Sequence, residues 1–189
     1  MNTVMLNLDQ VNLTNEQFYN LCIANPDRQL ERSQQGELII MAPVGGVSGN
    51  READFLIDLG LWNRQTRLGK VFSSSTIFRL PQGGDRSPDA AWVSLERWQN
   101  LSPEDQEKFP PLCPDFVLEL RSRTDRLEAL QTKMAEYLAS GLRLGWLIDP
   151  QRQAVEIYRL NKPVEVMSLP AVLSGENVLP SFNLQVERF

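Results

Sequence analysis

The segment Asp115-Phe-Val-Leu-Glu-Leu-Arg121 is the feature that most limits what this chain can fold into. Its side chains alternate: Phe116, Leu118 and Leu120 define one face, and Asp115, Val117, Glu119 and Arg121 the other. A period of two is the mark of a β-strand, here with charged groups on one side and an apolar row on the other. The period then changes. Leu127, Leu130, Met134 and Leu138 recur at helical spacing within 125–140, and Gly141 suits the left-handed stop of a helix. Residues 144–148 and 154–160 read as a hairpin around Asp149-Pro-Gln-Arg152, residues 164–169 as a further strand, and the tail to Phe189 as irregular.

The first half of the chain is read the same way. Thr14-Asn-Glu-Gln17 is a capping box, opening a helix that carries Phe18, Leu21 and Cys22 on one side and stops before Pro26. Residues 28–32 and 37–41, joined by Gln34-Gln35-Gly36, form a predicted hairpin. A second helix is predicted over 48–68, its apolar face made of Ala53, Leu56, Leu59 and, less regularly, Ile57, with Gly69 as its left-handed end. Residues 71–72, 76–80 and 87–93 read as strands with a turn at Gln82-Gly-Gly-Asp85. Ser94 and Ser102 read as helix N-caps, the second followed by Pro103 at the first helical position. The expectation is an α/β (α+β type) fold with one mixed sheet flanked by helices. At 189 residues it would be one domain, 1–189, with a core at about 37–160.

Composition narrows the chemistry. The chain contains no histidine, which removes Ser-His-Asp and Cys-His hydrolysis, His-ligated zinc and His general-base catalysis. No glycine-rich phosphate loop of the common kinds is present. Cys22 and Cys113 are far apart and read as ordinary thiols. Apolar runs fall short of the roughly 20 residues that span a bilayer, and the N-terminal stretch lacks the pattern of a secretory signal, so a cytoplasmic location is expected. A net charge of −5 argues mildly against a general nucleic-acid binder, though a local basic groove can coexist with an acidic total. If the chain is an enzyme, carboxylates, lysines or an oxygen-held metal must act.

Asp89 and Glu119 are the candidates for such a site. Two carboxylates on neighbouring strands can hold a divalent cation when they point to the same side, and Arg121 shares the face of Glu119. A cation there would stabilise charge developing on an attacked phosphate. Asp115, four residues from Glu119 on the same strand, is roughly 13 Å away and too far to share an ion. The competing reading is plain: acidic residues at strand ends are common, and a Pro-Asp pair alone says little.

The segments Ser87-Pro-Asp-Ala-Ala-Trp-Val93, Asp115-Phe-Val-Leu-Glu-Leu-Arg-Ser122, Lys133-x-x-x-Tyr137 and Gly141-x-x-x-x-Trp146-Leu-Ile-Asp-Pro150 stand in the order seen in the Uma-two family. That family is a restriction-endonuclease-like branch of the PD-(D/E)XK nuclease superfamily, and the resemblance runs over about 37–158. It implies a restriction-endonuclease-like mixed sheet and a Mg²⁺- or Mn²⁺-dependent site hydrolysing DNA phosphodiesters, with Asp89 and Glu119 as metal carboxylates. It also implies a homodimer, by analogy with nucleases that pair to cut two strands. The chain departs from the motif at Arg121, where lysine is asked for. Arginine can steady a phosphate but is a poor proton acceptor, so Lys133 on the following helix is the expected substitute to position or activate water. Its competing reading is a lysine snorkelling beside the core. Glu52, near the start of the second helix, is a further candidate for the metal shell by the same resemblance. Tyr137 and Trp146 read as packing, and Ser122 as part of the turn into the helix. A second functional reading is a catalytically inactive nuclease-like fold serving as a binding or assembly module, favoured by Arg121 and the acidic total.

Overall fold

The computed structural model describes residues 3–8 and 10–189; Met1, Asn2 and Asp9, part of the stretch read for a signal, lie outside the described residues. The elements run β1 (Val4–Leu6), α1 (Asn15–Ala24), β2 (Leu30–Arg32), β3 (Leu38–Ile40), α2 (Gly46–Thr66), β4 (Gly69–Ser73), β5 (Phe78–Arg79), β6 (Asp85–Arg86) and β7 (Ala90–Ser94). They continue with α3 (Leu95–Gln99), α4 (Pro103–Glu107), β8 (Phe116–Leu120), α5 (Leu127–Ala139), β9 (Leu144–Asp149), β10 (Ala154–Arg159), β11 (Glu165–Ser168), β12 (Ala171–Ser174) and β13 (Asn183–Val186). The mixed α+β class is as expected, but the strands fall into more than one sheet. Among the described residues there is a six-stranded sheet in the order β11-β10-β9-β8-β7-β4, a five-stranded sheet of short strands in the order β1-β3-β2-β6-β5, and the pair β12-β13.

The alternation read around residue 118 organises the larger sheet. On one face Phe116, Leu118 and Leu120 pack with Phe55, Leu59 and Trp62 of α2 and with Leu173, Phe182 and Leu184 from the C-terminal segment. On the other, Val117 packs with Met134 and Tyr137 of α5. β8 and β9 pair in parallel, so the chain must cross over between them, and α5 is that crossover. The capping box at Thr14 forms with both of its reciprocal bonds, and Ser94 and Ser102 accept the N-cap hydrogen bonds expected of them. Among the described residues no helix is long and apolar enough to cross a membrane.

Four expectations are corrected. The tail is not irregular: β12 and β13 pair over four residues, and Leu173, Leu179 and Val186 are buried. The buried face of α2 is Phe55, Leu59 and Trp62; Ala53 and Ile57 face outward, because the covering layer includes the C-terminal segment as well as the sheet. Its left-handed end is Arg67, with φ of 57°. Gly69 lies in β4 instead, where a Cβ would collide with the Val93 carbonyl and the Trp92 ring. Finally, the predicted strand over 87–93 begins only at Ala90. Asp85–Arg86 pairs within the small sheet, and Ser87-Pro88-Asp89 carries the chain from one sheet to the other.

Candidate active site

This crossing delivers Asp89. The antiparallel register of β7 and β8 ends at Ala90↔Leu118, and one residue further along each chain stand Asp89 and Glu119. The Asp89 Oδ2 accepts the Leu120 N–H at 2.7 Å, which fixes its carboxylate against the end of β8. Glu119 shares the parity of Val117, so it points toward α5. There the Lys133 Nζ lies 2.9 Å from its Oε1 and 3.0 Å from its Oε2, and the Tyr137 hydroxyl donates to Oε1 at 3.2 Å. Lys133, Glu136 and Tyr137 form a buried stripe one helical turn long.

The Lys133 ammonium reaches two further groups. It donates to the Ser87 carbonyl at 2.9 Å and pairs with Glu31 of β2 at 2.9 Å. Glu31 in turn accepts the Ser87 N–H at 2.9 Å and the Arg86 Nη1 at 2.9 Å, while the Arg86 Nε donates to Glu136 at 2.6 Å. Both sheets and α5 are therefore pinned together through one buried ionic network, and the Ser87-Pro88-Asp89 crossing is held from both sides. The carboxylates of Glu31, Asp89, Glu119 and Glu136 outnumber the cations Lys133 and Arg86, so the assembly is acidic when all are ionised.

The environment sorts these groups by protonation. Burial pushes the Asp89 carboxyl well above its ordinary range, and the neighbouring Glu119 charge pushes it further. Glu119 is also raised by burial, with Lys133 opposing and Glu31 adding to the rise. Burial would raise Glu31 as well, but Lys133 and Arg86 outweigh it and hold its carboxyl low. For Lys133, burial favours the neutral amine, yet Glu119 and Glu31 prevail and keep it protonated. The surface-lysine reading is thus replaced by a fixed cation whose N–H groups are all engaged. Tyr137 is raised by burial and by Glu119, so its phenol remains a donor.

Asp89, Glu119, Lys133, Arg121 and Glu52 all line one open cleft of about 1320 Å³. Glu52 is half-buried on α2, one turn before Leu56, and its charge is felt at Asp89. The Arg121 guanidinium is held by Asp149 at 2.9 Å and by the Asp125 carbonyl at 3.2 Å. Asp115 is elsewhere, buried and spent on the Ser94 N–H and on Arg97 and Arg143. Ser122 settles the turn as read, its N–H bound by Asp125 at 2.8 Å. Trp146 is core, as expected, whereas Tyr137 both packs and donates to Glu119. Glu31, Arg86 and Glu136 do not stand out in the sequence; the one visible signal is Lys133, Glu136 and Tyr137 at helical spacing.

Among the described residues no cluster of three or more Cys, Asp or Glu side chains stands at metal-enclosing spacing. The donor set fits a hard cation nonetheless. Mg²⁺ is commonly held by one or two carboxylates, with water and substrate phosphate completing the shell. Among the described residues the Asp89 Oδ1 has no hydrogen-bond donor, its Oδ2 accepting the Leu120 N–H, and the acidic excess favours a dication.

The chain belongs to the Uma2 family, whose model, described as "Putative restriction endonuclease", matches residues 15–187. A solved structure described as "a putative nuclease belonging to DUF820", from Anabaena variabilis, is similar with a TM-score of 0.72 and 19% identity, covering 84% of this chain and 88% of that one. At that identity it bears on the fold, which is shared. Among curated proteins none matches the chain.

Proposed function

We propose that this protein is an endonuclease that hydrolyses DNA phosphodiester bonds with Mg²⁺ or Mn²⁺ held between Asp89 and Glu119. The observation that carries the reading is the pairing of half-buried Asp89, at the entry to β7, with buried Glu119 of β8, both lining one cleft and backed by the Lys133 ammonium. When bound, the cation would supply Lewis-acid stabilisation of the phosphate and lower the pKa of a coordinated water.

The chain's own groups divide the remaining work. Asp89 offers its free oxygen while the Leu120 N–H holds the other. Glu119 is locked in orientation by Lys133 and Tyr137, which fill the acceptor sites of Oε1 and leave one on Oε2. Lys133 cannot accept a proton while both glutamates hold it charged, so it positions Glu119 and contributes fixed positive charge. Arg121, permanently protonated, would steady the phosphate from the cleft wall. Glu52 approaches from α2 and would reach the outer shell of the cation.

The test is cleavage of supercoiled plasmid and of single-stranded DNA with and without Mg²⁺ or Mn²⁺, beside an Asp89→Ala, Glu119→Ala double variant. Metal-dependent cleavage by the wild type, lost in the folded variant, is the expected result. The full engagement of Lys133 and the pairing of Arg121 with Asp149 favour the second reading, a binding module without turnover. No cleavage of either substrate by the wild type with either metal would select it.

A further inference from the structure

The rim of the cleft has two chemistries, and together they specify the form of the substrate. Arg51, Arg123 and Arg126 line it, and among the described residues none of the three has a carboxylate partner within salt-bridge distance. The two other arginines that line the cleft, Arg86 and Arg121, are paired with acids. Arg123 and Arg126 are exposed on the segment between β8 and α5. Arg51, on α2, lies over the Phe189 ring at 4.2 Å, which steadies it without neutralising it. Cations left free around an acidic floor are what a polyanion requires.

The rest of the rim is apolar. Met5, Val44 and Val47 line the same cleft and are 51%, 55% and 66% exposed, carried by β1 and the entry to α2. Phosphate alone has no use for such a surface, and a closed duplex keeps the faces of its bases stacked within the helix. A strand with unpaired bases has both chemistries at once: phosphates for the arginines and base faces for the apolar side chains.

We propose that the cleft binds an unpaired DNA strand, with Arg51, Arg123 and Arg126 on phosphates flanking the scissile one and Met5, Val44 and Val47 against the bases. This deepens the nuclease reading and rests on it for the identity of the cleft as the substrate site. It does not depend on turnover.

The experiment is fluorescence anisotropy of a labelled single-stranded 20-mer and of the same sequence as a duplex, in EDTA so that metal-supported cleavage does not enter. The single strand is expected to bind at least tenfold more tightly. Arg123→Gln with Arg126→Gln should weaken it and reduce the slope of log K against log salt by about 1.4, at roughly 0.7 per lost phosphate contact. Val44→Ser with Val47→Ser should weaken it severalfold with the slope unchanged. Equal or tighter duplex binding, no binding of either probe, or an unaltered slope in the arginine variant would overturn the inference. The predicted binding pattern without Mg²⁺-dependent cleavage would sustain the inference and remove the nuclease. Cleavage with no strand preference in binding would do the reverse.

Discussion

Lys133 illustrates how much one buried cation can hold. Its ammonium neutralises Glu31 and Glu119 together and fixes the Ser87 carbonyl, so a methionine at this position leaves two carboxylates buried with reduced compensation. Breaking a buried ion pair from one side typically costs about 3–5 kcal/mol. Lys133→Met is therefore expected to lower Tm in thermal unfolding by on the order of 10 °C. Asp89 behaves oppositely. Its folded pKa is raised, so its protonated form stabilises the fold fully below the ordinary carboxylate value, and this contribution is lost as pH rises through the raised value. In EDTA, Asp89→Asn should melt above the wild type at pH 8, with the gap closing as pH falls toward 4. A wild type that equals or exceeds the variant at pH 8 would contradict the assignment. That Asp89 and Glu119 stand side by side is legible in sequence from the motif order, and the shared face of Glu119 and Arg121 from the period of two. Glu31, Arg86 and Glu136 are not. A charged residue in a three-residue strand reads as solvent-facing, and Arg86 lies 55 residues from Glu31 and 50 from Glu136 along the chain.

Among the elements, the approach of α5 to the sheet decides whether Lys133 reaches Glu119. Gly145 of β9 makes that approach possible: a Cβ there would stand 2.5 Å from the Met134 Cε and 2.8 Å from the Leu142 Cδ2. Both are ends of flexible side chains, so Gly145→Ala should cost about 1–3 kcal/mol in chemical denaturation and lift Lys133 from Glu119. Gly69→Ala should cost more, because its neighbours are the Val93 backbone and the buried Trp92 ring. Long elements with a clean period were readable, as β8 and α5 show. The layer over α2 was not. Phe55 and Trp62 face both the sheet and the C-terminal segment that folds back over that side, and the Trp62 Nε1 donates to the Pro180 carbonyl 118 residues away. No local pattern carries such a contact.

At the scale of the whole molecule, the candidate site lies where two sheets meet. The small sheet supplies Glu31 and Arg86, the large one Glu119, the crossing between them Asp89, and α5 Lys133. The net acidity of the chain, which counted mildly against nucleic acid in sequence, is compatible with a cleft whose rim keeps its arginines free. A crystal grown with Mn²⁺ and read by anomalous scattering tests the metal site most directly. A peak is expected at the Asp89 and Glu119 carboxylates and is expected to be lost in Asp89→Asn crystals. Carboxylates free of density at saturating Mn²⁺, or a peak bound elsewhere in the cleft, would contradict that site.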